Sequence, residues 1–187
     1  MYDIGLRRYA MFIFNSPEHQ QAVQQLNNLW DNLNNLADLA HQYGIEDIFQ
    51  DNGAKILQQL VLLNFDVLPG REGNDAKSAS GKEWEMKSIN IATTAQGFST
   101  NHHLNAHILN KYRQVPWSFA IYNNLELESI YVMSPQQLEP MFSKWENDYI
   151  NKGKEGNNPK IPVKFVKNNG IKVYPYATNP IDPDSVV

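Results

Sequence analysis

The sequence predicts a mixed α/β fold, with a central mixed sheet flanked by helices. Three observations carry this. Ala22, Leu26, Leu29, Leu33, Leu36, Ala40 and Tyr43 recur at spacings of four and three, the period of a helix face. Short segments rich in β-branched and aromatic residues, bounded by Gly, Pro and Asn, recur between Phe65 and Tyr174. Helical and strand-like segments alternate along the chain rather than segregating into halves. The 187 residues suffice for one domain with a real core.

The first helix runs from Glu18 to about Tyr43, with Gly44 as its stop. Its seam is heptad-like, so the helix either packs on its own core or also pairs with its twin. Asp51 can cap a second helix that buries Ile56, Leu57, Leu60, Val61 and Leu63. Phe65 to Leu68 reads as a strand and Pro69–Gly70 as a turn. Two further strands follow, around Asn74 to Ala76 and from Glu83 to Ile89. Residues 91–100 read as a polar loop. A short helix, Asn105 to Tyr112, precedes strands at Trp117 to Tyr122 and Leu125 to Met133. Ser134, Pro135 and Gln137 are a capping-box helix start, and Pro140 should break or kink that helix. Ile161 to Val166 and Ile171 to Tyr174 read as a hairpin around Asn168–Gly170. We divide the chain into an N-terminal extension (1–17), one folded domain (18–174) and a flexible tail (175–187).

Composition narrows the function. With no cysteine, disulfides, Cys-ligated zinc, iron–sulfur clusters and thiol catalysis are excluded. No apolar run is long enough to span a membrane, and Tyr9 to Phe14 is too short for a signal segment. A soluble cytoplasmic protein is the expectation. The net charge of −4 argues, taken whole, against a nucleic-acid binder. Yet residues 144–172 carry seven lysines against three acidic residues, so a basic segment sits inside an acidic chain. The 22 Asn and 12 Gln include few candidates for reading adenine, and most reflect bias in composition.

The chemistry concentrates between Gly73 and Lys87. On a strand, Glu83, Glu85 and Lys87 share one face while the apolar Trp84 and Met86 share the other. A hairpin would bring Asp75 opposite Glu85 and leave the carboxylate and ammonium on an exposed face. Two carboxylates and a lysine are what Mg²⁺-assisted phosphodiester hydrolysis requires. Hard oxygens hold the hard cation, and the Met86 carbonyl is a further donor. The lysine positions or deprotonates water, or stabilises charge in the transition state. Taken alone, the same residues also fit a solvated strand face.

The neighbourhood adds six segments in order and at matching spacing: 44–53, 68–76, 87–91, 97–100, 111–117 and 157–164. They include Leu68-Pro69-Gly70-Arg71-Glu72-Gly73-Asn74-Asp75 and Asn157-Asn158-Pro159-Lys160. Together they closely resemble the PvuII family of type II restriction endonucleases, within the PD-(D/E)XK nuclease superfamily. The resemblance covers roughly residues 20–174. It implies a homodimer that cuts double-stranded DNA at the palindrome CAGCTG, leaving blunt ends with 5′-phosphates. It implies Mg²⁺ as cofactor, Mn²⁺ as a substitute and Ca²⁺ as an ion that binds without cleavage. Asp75 and Glu85 would hold the metal and Lys87 would be the catalytic lysine, with Glu72 and Tyr112 in or beside the active site. Asp51 would approach the minor groove. Ser99 to His103 (with Asn101, His102 and His103) would face the major groove, as would Asn157 and Asn158, and Lys160 would lie near phosphates. A host methyltransferase would be linked in function without necessarily binding.

Two departures stand out. Asn101-His102-His103 replaces three consecutive histidines, so Asn101 is expected at the backbone rather than at a base. The loop 92–97 is one residue longer. His103 and His107 lie one helical turn apart, but no Cys and no acidic partner lies near them in sequence, so zinc is not expected. The alternatives kept open are a different palindromic site, or a repair or recombination nuclease of the same superfamily that recognises DNA structure.

Overall fold

Where the chain turns is set by a few residues with unusual backbone freedom. The structure is a computed structural model, and it describes residues 17–45, 47–49, 52–68, 74–100, 104–152, 158–176 and 180–187. Helix α1, Pro17–Gln42, is closed by Gly44 at φ 72°, where a side chain would meet Val67 at 2.9 Å. Helix α2, Gly53–Leu63, starts against residues 47 and 48 so closely that a Cβ on Gly53 would meet the Asp47 carbonyl at 2.6 Å. Asn52 and Asn64 bracket α2 in left-handed conformation. Asn52 is its N-cap, and Asp51, the expected cap, lies outside the described residues. Leu57, Leu60 and Leu63 are buried as expected, Ile56 is half-buried, and Val61, at the edge of the buried face of α2, is exposed.

The strands are β1 (Phe65–Val67), β2 (Ala76–Ser78), β3 (Glu83–Asn90) and β4 (Gly97–Ser99). Helix α3, Ala106–Tyr112, then leads to β5 (Trp117–Asn123) and β6 (Glu126–Met133). Helix α4, Pro135–Trp145, runs into a π-helical turn, Glu146–Asn151. Strand β7 (Lys160–Pro162), helix α5 (Val163–Asn169) and strand β8 (Ile171–Tyr174) follow, and a 3-10 turn, Pro183–Ser185, comes last. The main sheet has the order β1-β2-β3-β5-β6-β8. Its β3–β5 pair is parallel and the others are antiparallel, so the expected mixed α/β architecture is present.

Alternation along β5 divides the core between the two faces. Trp117, Phe119 and Ile121 join a cluster with Tyr112, Leu138 and Phe142. Ala120 and Tyr122 join another with Leu60, Phe65 and Trp84. Helix α2 covers one face, and α3, α4 and α5 cover the other. At roughly 25 cal/mol per Å² of apolar surface, each such aromatic contributes a few kcal/mol of burial. Tryptophan 117, on a central strand, is fully buried.

Several expectations change. Residues 97–99 are a strand, because β4 pairs with β7 in a separate two-stranded ribbon. Residues 161–174 are not a hairpin, since β7 pairs with β4 while β8 pairs with β6, with α5 between them. The second strand starts at Ala76, after Asp75, rather than at Asn74. The capping box at Ser134 and Gln137 is present, but α4 continues through Pro140. That proline lies on the exposed side, where water can satisfy the carbonyl it leaves unbonded. Residues 180–187 are not a loose tail. Pro183 is buried, and Asp184 is bonded to the β2–β3 hairpin. Among the described residues, no helix is long and apolar enough to cross a membrane.

Candidate active site

The β2–β3 hairpin brings the acidic residues together. Its register, Ala76 opposite Trp84 and Lys77 opposite Glu83, puts Asp75 opposite Glu85 one step further on. The Asp75 N–H donates to the Trp84 carbonyl at 3.0 Å. Its carboxylate Oδ2 accepts the Met86 N–H at 2.7 Å. Thus Asp75 lies outside the strand ladder yet is tied to β3 at both its backbone and its side chain.

Alternation on β3 sends Trp84 and Met86 toward the α2 face, as expected, and Glu85 and Lys87 toward the other. That other face is not the solvated one expected from sequence, because β3 lies between β2 and β5 and both faces of the sheet are covered. Glu85 is buried and Lys87 half-buried. The Asp75 side chain, 43% exposed, is the open member of the set. Lys87 Nζ donates to Glu85 Oε1 and stands 3.9 Å from Asp75 Oδ2. It also lies 5.7 Å from the centre of the Trp117 ring. Tyr112 packs edge-on against Trp117 at 4.6 Å, and its carbonyl accepts the Trp117 indole N–H at 3.2 Å.

Burial pushes the Glu85 carboxyl up to about 7; Lys87 opposes the rise and Asp75 adds to it. Burial alone would lower the Lys87 ammonium, but Glu85, then Asp75, with Tyr112 adding, hold it above its usual range. The set therefore keeps its cation at neutral pH and carries a carboxyl that titrates near neutrality. Asp75, Met86 and Lys87 line a cleft of about 600 Å³, with Gln59, Asn90 and Ser99 also on its wall.

A second group forms at the β4–β7 ribbon. Ser99 pairs with Lys160, and both side chains are exposed. Thr100 locks the ribbon, its N–H and hydroxyl donating to the Pro159 carbonyl at 3.3 and 2.7 Å. Asn158 is adjacent, and its buried Oδ1 has no hydrogen-bond partner among the described residues. Segments sixty residues apart in sequence thus converge beside the cleft. Asp51, Glu72, Asn101, His102, His103 and Asn157 lie outside the described residues. Sequence reasoning missed Trp117 under Lys87, although the shared parallel register of β3 and β5 makes such contacts. It also missed Gln59, buried on α2 and accepting the Ser118 hydroxyl at 3.2 Å.

Asp, Glu and Lys on one hairpin, at the edge of a cleft in a mixed sheet, define the PD-(D/E)XK class of nucleases. Residues 21–174 match the family model "Restriction endonuclease PvuII", and the chain belongs to that family. It is a type II site-specific deoxyribonuclease that acts on phosphodiester bonds of double-stranded DNA. Restriction endonucleases generally use divalent metal ions. The donor set here suits such an ion. Asp75, Glu85 and the Met86 carbonyl are hard oxygens. Among the described residues no group of three or more His, Asp or Glu side chains is placed to hold a metal ion.

Proposed function

We propose that this endonuclease works as a homodimer, binds Mg²⁺ through Asp75, Glu85 and the Met86 carbonyl, and cuts CAGCTG at its centre to leave blunt ends with 5′-phosphates. The observation that carries the reading is the Asp75–Glu85–Lys87 set on one hairpin of a chain of this family. When bound there, a divalent cation polarises a phosphoryl oxygen and lowers the pKa of a coordinated water. Mn²⁺ substitutes for it, and Ca²⁺ supports binding without cleavage.

The chain's own groups do the rest. Asp75, half exposed, presents a carboxylate to the cleft, while Glu85 is buried behind it against Lys87. Lys87 sits against both carboxyl groups and offsets one negative charge before any cation arrives. With DNA bound, its ammonium orients the attacking water or faces the charge that develops on the phosphorus. The Trp117 ring beneath fixes that ammonium, and Tyr112 buttresses the ring. Glu72 is assigned a place beside them.

The β4–β7 ribbon supplies recognition. A two-stranded ribbon fits a major groove. Asn158 offers an unsatisfied acceptor for adenine N6, and Asn157, His102 and His103 are assigned to neighbouring base edges. Ser99 is assigned to the major groove with them, Asn101 and Lys160 to the backbone, and Asp51 to the minor groove. Two copies related by a two-fold axis match a palindrome. The seam on α1 supplies apolar surface for pairing: Leu29 is 61% exposed.

The test is a plasmid carrying CAGCTG sites, incubated with and without Mg²⁺, with the ends sequenced. Blunt cuts at the centre of that site, only with metal, are expected. Metal-dependent cuts at another palindrome would leave the chemistry standing and overturn the sequence assignment. Cutting that follows nicks or flaps and ignores sequence would overturn both the ribbon's role and the palindrome.

A further inference from the structure

Segment 180–187 lies outside the residues matched to the family, yet it binds the hairpin that carries the acidic pair. Asp184 is the centre of the contact. Its Oδ1 accepts the Trp84 indole N–H at 3.1 Å, and its Oδ2 accepts the Ser80 hydroxyl at 2.7 Å. Lys82 Nζ lies 3.9 Å from the same carboxylate and donates to the Asp184 and Val187 carbonyls at 3.4 and 3.2 Å. Asp182 orders the segment by accepting the Asp184 N–H at 3.0 Å. Three of these partners, Ser80, Lys82 and Trp84, span the turn of the hairpin and the first residues of β3.

Trp84 is the link to the acidic pair. Its carbonyl accepts the Asp75 N–H, and its next neighbour is Glu85. Its ring is fully buried, 4.9 Å from Phe65. The ladder between β2 and β3 is two residue pairs long, and the Asp75 bonds to Trp84 and Met86 extend it toward the acidic pair, so the placing of Trp84 bears directly on Asp75. A buried indole N–H needs an acceptor, and Asp184 supplies it.

We propose that residues 180–187 form a strap across the β2–β3 turn, and that Asp184 is a positioning residue, acting through Trp84 to hold Asp75 and Glu85 at the spacing that binds a divalent cation. This rests on the assignment of Asp75 and Glu85 to the metal. The strap is specific to this chain's region beyond the family match, and it acts on metal affinity rather than on DNA reading.

The test uses the full chain and three readouts: calorimetric titration with Ca²⁺, the Mg²⁺ dependence of cleavage, and the melting temperature. In Asp184→Ala, Ca²⁺ should bind about threefold to tenfold more weakly, less than the ~10–100-fold lost with a direct outer-shell partner. The Mg²⁺ concentration for half-maximal rate should rise by the same factor, with the rate at saturating Mg²⁺ nearly kept. Asp184→Asn, whose amide oxygen still accepts from Trp84, should restore Ca²⁺ affinity. If Asp184→Ala proves poorly folded, Ser80→Ala removes one strap contact from an exposed turn and should shift both metal readouts in the same direction. A lower melting temperature with unchanged Ca²⁺ and Mg²⁺ values in these variants would overturn the proposal. Asp75→Ala is the control: if it too binds Ca²⁺ like the parent, the assignment of the metal site itself is wrong, and the strap proposal falls with it.

Discussion

The Asp75 carboxylate accepts the backbone N–H of Met86 at 2.7 Å. This bond fastens the residue before β2 to the middle of β3, two positions from the Asp75 backbone bond to Trp84. Asp75 and Glu85 therefore move as one unit with the strand between them. Lys87, on the same strand, completes the unit and is the member whose removal should separate chemistry from binding.

For Lys87→Ala we expect turnover to fall by about 10²–10⁴, the usual range for a lost proton-transfer or charge-stabilising group. Binding to a CAGCTG duplex in Ca²⁺, followed by gel shift, should stay within a few-fold of the parent. Equal loss of binding and cleavage would show that Lys87 holds the site together rather than serving the reaction.

The pH dependence follows from Glu85. Burial raises its carboxyl to about 7, so it is neutral below that value and charged above it. Between its ordinary value of 4.5 and about 7, the folded chain binds a proton that the unfolded chain has released. The metal-free fold therefore loses stability as pH rises through that window. Metal needs the charged form, so Ca²⁺ affinity should drop about tenfold per pH unit below 7. The rise in melting temperature on adding Ca²⁺ should be larger at pH 8 than at pH 6. Calorimetry in two buffers of different ionisation enthalpy should show proton release near pH 6. Equal Ca²⁺ affinity at pH 6 and pH 8 would contradict this account.

Local signals in the sequence located most elements. The capping box at Ser134, the glycine stop at Gly44 and the alternation at Trp84 and Met86 each act within a few residues, so they are readable without the fold. The Asp75–Glu85 pairing was legible for the same reason, since a hairpin turn sets its register. What was not legible depends on pairing across long stretches of chain. The segment Gly97–Ser99 has no strand pattern of its own and is a strand because Lys160–Pro162 lies beside it. Glu85 is buried because a parallel neighbour, β5, was brought in by a crossover through α3. Asp184 lies a hundred residues from Trp84, and nothing near it in sequence announces the contact.

Helix α1 tests the dimer. Its C-terminal end is anchored, where Leu36 and Ala40, with Tyr43 just beyond the helix, pack against Ile48 and Leu57. Leu29, Val23 and Leu39 stay exposed at 61%, 43% and 37%, a run of apolar side chains that a second copy would cover. Leu29→Glu with Leu33→Glu should shift sedimentation from dimer to monomer at micromolar concentration. Circular dichroism should be unchanged, because the anchored end of α1 is untouched. A stable dimer in that variant would place the interface elsewhere.

Asn158 sets function against stability. Its Oδ1 is buried without a partner among the described residues, a situation that costs about 1–3 kcal/mol. In the proposed complex, this acceptor beside the Ser99–Lys160 ribbon takes its donor from the DNA. Asn158→Ala should therefore melt no lower than the parent, since the orphaned oxygen is gone. Its affinity for a CAGCTG duplex in Ca²⁺ should fall by about 1–3 kcal/mol, the value of one good base contact. Affinity for a scrambled duplex, and the salt slope, should stay the same. Lys160→Ala supplies the contrast, weakening both duplexes alike and lowering the salt slope by about one. If Asn158→Ala weakens both duplexes equally, Asn158 belongs to the backbone grip, and the sequence is read by other residues.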